Sequence, residues 1–150
     1  MTKRGQATED TAGNGDRPAL GSNFLVDFGD GKSRKSSGGF AEVIFPEFRI
    51  GPKGEDGNPA PGAGNTLILK RGICGALDLY TWWDKARNGK APRRKSMKIQ
   101  LLSQDQQRVV LTWTFHQVRP VALSYSPLRA QENEVVMETI EFAFEGFELS

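Results

Sequence analysis

Residues 107–116 restrict the fold more than any other stretch, because Val109, Leu111, Trp113 and Phe115 alternate with Arg108, Thr112, Thr114 and His116. A period of two places successive side chains on opposite faces of a pleated strand, so one face is buried and the other is wet. The same pattern holds in residues 96–102, where Met97, Ile99 and Leu101 oppose Lys98 and Gln100. The polar turn Ser103, Gln104, Asp105, Gln106 joins the two as an antiparallel hairpin. A third run, 135–145, puts Val136, Ile140, Phe142 and Phe144 on one face and Thr139, Glu141 and Glu145 on the other. Gly146 then reads as a bulge, since Phe147 and Leu149 continue on the opposite parity.

Earlier strands are shorter. Residues 23–29 place Phe24, Val26 and Phe28 on one side, residues 40–50 form a strand region interrupted by Pro46, and residues 66–70 lead into the turn Gly72, Ile73, Cys74, Gly75. Pro120 and Pro127 bound one more short segment around 121–125. Residues 32–39 read as a Ser/Gly/Lys loop without periodicity, and 51–65 (GPKGEDGNPAPGAGN) defeats both helix and ladder, as an ordered functional loop or a disordered one.

One convincing helix, residues 76–88, interrupts this β pattern. Leu79, Trp82, Trp83 and Ala86 fall at i, i+3, i+4 and i+7 and share one apolar stripe. Asp78 near its start and Lys85 and Arg87 near its end suit the helix dipole, Asn88 and Gly89 supply a stop, and Pro92 opposes a restart. Strands without alternating helices argue against a doubly wound parallel sheet. The expected fold is mainly β (α+β): an antiparallel sandwich or barrel with one helix packed on its flank.

Length and composition set outer bounds. The chain of 150 residues is 37% hydrophobic and 25% charged, fitting one soluble domain with a real core. Residues 1–22, rich in Gly, Thr and charge, read as a mobile N-terminal arm ahead of a domain at 23–150. No apolar run approaches bilayer length, and no apolar segment follows the first charges, so synthesis in the cytoplasm without a secretory signal or membrane anchor is expected. Cys74 is the only cysteine, which excludes an intrachain disulfide and a cysteine-cluster metal site. The net charge of +2 is small, but Lys85, Arg87, Lys90, Arg93, Arg94, Lys95 and Lys98 crowd the middle, while Glu132, Glu134, Glu138, Glu141, Glu145 and Glu148 follow the last Arg. These are either two solvated faces or surfaces on which identical copies meet head to tail.

The ordered set of motifs resembles a known family. A strand ending Leu67-Ile68-Leu69-Lys70-Arg71-Gly72-Ile73-Cys74-Gly75 precedes the Trp-bearing helix and its Asn-Gly turn. Arg-Arg-Lys then leads into Ile99-Gln100-Leu101-Leu102, and a Trp113/Phe115 strand is followed by Pro120. Glu132-Asn133-Glu134-Val135 leads into Glu138-Thr139-Ile140-Glu141, and the pattern ends Glu145-Gly146-Phe147-Glu148. Over residues 23–148 this is similar to the tail tube proteins of contractile phages and contractile injection systems. The resemblance implies a ring-forming β-barrel whose hexameric rings stack into a tube inside a contractile sheath. The implied partners are other copies of itself, sheath, baseplate or tube-initiator and terminator proteins, and DNA or protein cargo in the lumen. The implied location is a virion tail or phage tail-like particle.

Residues 39–43 match the family's strand, after which the sequence departs to Ile44-Phe45-Pro46. Residues 51–65 replace a segment that in the family helps one ring contact the next, so Gly51, Pro52, Lys53, Glu55, Asp56 and Asn58 are the candidates for ring stacking. The polar faces Lys98, Gln100, Thr112, Thr114, Thr139, Glu141 and Glu145 are candidates for the lumen, or else face solvent.

Catalytic readings fare poorly. His116 is the only histidine and stands on an outward parity, and Cys74 lies far from it in sequence. No phosphate-cradling glycine fingerprint occurs, and no catalytic, metal or cofactor residue is assigned. The rival of another class is a small β-barrel binding single-stranded nucleic acid through Arg93, Arg94, Lys95 and Lys98. Two variants keep the fold: a tube-initiator paralogue and a free ring that chaperones cargo.

Overall fold

The computed structural model describes residues 19–29, 33–35, 39–50, 66–90 and 95–150, the backbone alone at 33–35 and at Lys95. Eight strands and one helix follow in order: β1 (Phe24–Asp27), β2 (Ser33–Lys35), β3 (Glu42–Ile44), β4 (Thr66–Gly72), α1 (Asp78–Arg87), β5 (Lys95–Leu102), β6 (Val109–Tyr125), β7 (Met137–Ala143) and β8 (Gly146–Leu149). Every strand pairing is antiparallel, so the fold is mainly β with one helix among the described residues.

The long β6 organises the molecule. Its first half pairs with β5 on one side and β8 on the other, while its second half pairs with β7. The strand order is β2-β1-β5-β6-β7-β4-β3 with β8 beside β6, so a single chain of ladders curls around one core. The bend lies at Gln117, which adopts φ 56 and moves the inward positions from Phe115 to Val118 and Pro120. Pro120 therefore does not end the strand. It sits beside a register shift, where β7 is its only partner strand among the described residues and a missing donor is tolerated. The segment at 121–125 is a continuation of β6, not a separate element.

Other sequence expectations are also corrected. Residues 33–35, expected as loop, form β2 against β1, because a three-residue strand needs only a partner and carries no visible period. The strand region at 40–50 contracts to β3, after which the chain lays its aromatic residues against other rings: half-buried Phe45 lies 4.7 Å from Trp113, and Phe48, still exposed, stacks on Phe147 at 3.9 Å. Val109, expected inward, is exposed at the rim of the hairpin.

The core comprises Phe24, Val26, Leu67, Leu69, Met97, Ile99, Phe115, Ile140 and Phe142, with Phe28, Phe40, Leu79, Val118 and Phe144 closing it. Burial of each large apolar side chain stabilises by about 1.5–3 kcal/mol. Gly29 marks one close approach: it has φ +80, and a Cβ there would lie 2.8 Å from the Ser96 carbonyl oxygen.

Candidate assembly surfaces

The helix is fixed at both ends by different chemistry. It begins at Asp78, two residues later than the periodicity places it, because Arg71 holds the Asp78 carboxylate and the Ala76 carbonyl just ahead of the first turn. It ends at Gly89, which adopts φ +68 while Asn88 stays right-handed, and Lys90 N–H donates to the Lys85 carbonyl at 2.8 Å. Between these ends Leu79 is fully buried, and Trp82 meets Phe142 at 4.9 Å and Phe28 at 5.4 Å. Trp83 and Ala86 stay half-buried, and the Arg87 guanidinium lies 4.7 Å over the Trp83 ring.

Arg71 is the centre of a buried charge cluster. Its Nε donates to Glu138 Oε1 at 2.9 Å, its Nη atoms donate to both Asp78 oxygens, and its guanidinium lies 5.6 Å from the Phe40 ring centre. The Arg71 and Glu138 side chains are each only 7% exposed. Burial alone would lower the Arg71 pKa; the hydrogen bonds and charges of Asp78 and Glu138 outweigh it and leave it raised. Partial desolvation first, then the Glu138 charge, pushes the half-exposed Tyr125 phenol above the usual range. The sequence reading passed over this cluster, although a signal was present. Arg71 shares the inward parity of Leu67 and Leu69, and Glu138 that of Ile140 and Phe142, so two opposite charges stand on core-facing positions.

The polar residues considered for the lumen fall on different surfaces. Lys98, Gln100, Thr112 and Thr114 come together, since Lys98 pairs with Thr114 and Gln100 with Thr112. Asp27 pairs with Lys98, and Glu148 with Thr114, extending the same face. Thr139 and Glu141 lie on β7 beside Lys70 and Ile68, on the second group of strands, and Glu145 lies in the β7–β8 connection. Because both groups turn their apolar sides to one core, these polar faces point away from each other. Residues 51–58, the ring-stacking candidates, lie outside the described residues, as do Arg93 and Arg94.

Strand edges remain open. From Arg119 to Tyr125, β6 pairs with β7 on one side and has no partner strand on the other among the described residues. β2, β3 and β8 are also terminal strands in their ladders. Unpaired donors and acceptors along such edges are templates for further strand pairing.

Cys74 is exposed, and His116 Nε2 faces Glu148 Oε1 at 3.5 Å, an ion-pair separation without a hydrogen bond. Among the described residues no group of three or more His, Cys, Asp or Glu is arranged to hold a metal ion. No helix among them is long and apolar enough to cross a membrane. An apolar groove of about 310 Å³ opens between Phe24, Val43, Phe45, Ile99, Leu101 and Trp113.

These features define a class: a curved, mostly antiparallel β-sheet fold with one packed helix. The family described as T4-like virus tail tube protein gp19 matches residues 22–148, and the chain belongs to that family, which makes it a structural tail tube protein. The fold is shared with a chain of the sheath-tube complex of an extracellular contractile injection system (PVC, extended state), with TM-score 0.71 and 18% identity over 93% of this chain and 96% of that one. It is shared also with the tube-terminating cap of the anti-feeding prophage, with TM-score 0.68 and 18% identity over 90% and 92%. For Hcp1 from Flavobacterium johnsoniae the TM-score is 0.54, with 15% identity over 85% and 94%. No curated protein matches the sequence.

Proposed function

We propose that the chain is the inner tube subunit of a contractile phage tail or contractile injection system, closing into hexameric rings that stack into a hollow tube. The observation that carries this reading is that β6 from Arg119 to Tyr125 has no partner strand on one side among the described residues, in a chain of the tail tube family. Joining such an edge to a terminal strand of the next copy would satisfy its backbone groups and continue the sheet around a ring.

The lumen is assigned to the face bearing Lys98, Gln100, Thr112 and Thr114 with Asp27 and Glu148. That surface mixes both charges with hydroxyls, which suits passage of hydrated DNA or protein cargo. The opposite face sets Thr139 and Glu141 beside Ile68 and Ile44, which suits contact with another protein, such as sheath. Sheath, baseplate or initiator, and terminator proteins are the partners this role requires. Structures with the same fold come from a sheath-tube complex, a baseplate and a tube-terminating cap. The role is assembly and conduction, with no catalytic step.

The nucleic-acid-binding alternative loses its stacking platform, because Phe115 and Phe142 are fully buried and Trp113 packs against Phe45. Negative-stain electron microscopy over a range of concentration and salt tests the proposal. Six-fold rings or stacked tubes support it; a monomer at every condition, with salt-sensitive oligonucleotide affinity, would replace it with the binding-module reading.

A further inference from the structure

We infer that the two ends of α1 are complementary halves of one contact between identical copies: the carboxylate-rich N-terminal end of one chain receives the basic C-terminal end of the next. This rests on the ring reading above and names the surfaces that would close it.

The N-terminal end is built from two neighbouring segments. Residues 71–78 lead into the helix, Ile73 N–H donates to the Val136 carbonyl at 2.9 Å, and the β6–β7 connection, residues 126–136, projects beside them. Four carboxylates, Asp78, Glu132, Glu134 and Glu138, stand here against two guanidiniums, Arg71 and Arg129. Arg71 is already spent on Asp78 and Glu138, and Arg129 on Glu132 at 3.2 Å. Glu134 is exposed and has no ion pair among the described residues. The surrounding surface is unusually apolar for solvent: Leu77, Ile73, Tyr80, Tyr125 and Val135 are all exposed, and Val135 is 71% so. Apolar residues gathered around uncompensated acid fit a protein partner better than water.

The other end has the opposite character. Lys85, Arg87 and Lys90 stand against the one carboxylate Asp84, which Arg87 already pairs with at 2.6 Å. Lys85 and Lys90 are exposed without an ion pair among the described residues. Trp83 lies among them, half-buried and capped by Arg87. This offers an amphipathic knob of aromatic surface under positive charge, the counterpart of an apolar surface edged with Glu134 and Glu132. The ends are separated by the helix length of about 15 Å. On the ring reading the contact is heterologous and repeats head to tail, whereas two antiparallel helices would make the same contact twice about a two-fold axis; the mass of the wild-type assembly separates a ring from a dimer.

Charge reversal at each end tests this. The acidic end is reversed in Glu132→Lys/Glu134→Lys and the basic end in Lys85→Glu/Lys90→Glu, with circular dichroism confirming that both fold. Each variant alone is expected to need at least about tenfold more protein than wild type to assemble, as like charges then face one another across the contact. An equimolar mixture of the two is expected to recover assembly, because copies alternate and every contact again joins opposite charges. Reversal variants that assemble like wild type, or a mixture that stays unassembled, overturn the inference while wild-type rings leave the tube reading intact. A wild-type protein that remains monomeric throughout overturns both.

Discussion

Arg71 and Glu138 are direct cross-strand partners in register on β4 and β7, and their side chains meet at 2.9 Å on the inward face of the sheet. Asp78 joins from the helix, so one guanidinium ties two strands to the start of α1. Removing one member of a buried pair leaves an uncompensated charge, whereas removing both charges together leaves none.

Arg71→Met is therefore expected to destabilise the fold by about 3–5 kcal/mol, and Glu138→Gln by less because an amide can still accept from the guanidinium. The double variant Arg71→Met/Glu138→Gln should be less destabilised than the sum of its single changes. Urea unfolding of the four proteins gives the coupling directly; strict additivity would mean that the pair does not act as a unit.

Tyr125 adds a pH dependence with a definite sign. Its folded pKa is raised above the ordinary value of 10.0, first by burial and then by the Glu138 charge. A group that binds its proton more tightly when folded contributes stability below its unfolded pKa and loses it as pH rises through the folded value. Thermal melts from neutral pH to above pH 10 should thus show wild type losing stability more steeply than Tyr125→Phe, which cannot ionise there. Parallel curves would show that the phenol does not couple to folding.

The inward parities of β5 and β7 and the apolar stripe of α1 were legible because each follows from local spacing. Met97, Ile99, Ile140, Phe142 and Leu79 are all buried. What escaped depends on partners far along the chain. β2 is too short to show a period and exists through its ladder with β1. Phe45 and Phe48 look like residues in a proline-broken strand until Trp113 and Phe147 are brought beside them. Pro120 looks like a terminator because sequence does not reveal that β6 runs on past it against β7. Arg71 and Glu138 were written in the inward parity, but a charge in a core pattern reads as an interruption until its opposite is known to sit across the ladder.

Gly29 provides a local test of the β1 exit. Its φ of +80 and the 2.8 Å approach of a would-be Cβ to the Ser96 carbonyl oxygen act together, and backbone cannot yield as a flexible side chain can. Gly29→Ala should cost about 1–3 kcal/mol by chemical denaturation. An unchanged midpoint would mean that β1 and β5 separate freely at this point.

We propose that residues 51–65, which lie outside the described residues, bear on stacking and not on closure. Deleting residues 54–62 is expected to leave rings intact while shortening or abolishing tubes, as measured by length distributions in negative stain. Tubes of wild-type length after the deletion would move the stacking contact to another surface.

The two tryptophans of α1 should separate stability from assembly. Trp82 lies between Phe28 and Phe142, so Trp82→Ala removes aromatic packing from both sides of the core and is expected to cost about 3 kcal/mol. Trp83 touches the Arg87 guanidinium at the edge of the helix, and Trp83→Ala should cost only about 1 kcal/mol of monomer stability. If the basic end of α1 docks on the next copy, the order reverses for assembly: Trp83→Ala loses ring formation at concentrations where its fold is intact. The double variant is expected to unfold or disassemble. Paired measurements of urea midpoint and assembly concentration on each single variant distinguish the roles. A Trp83→Ala protein that assembles as well as wild type would confine the contact to the charged residues around it.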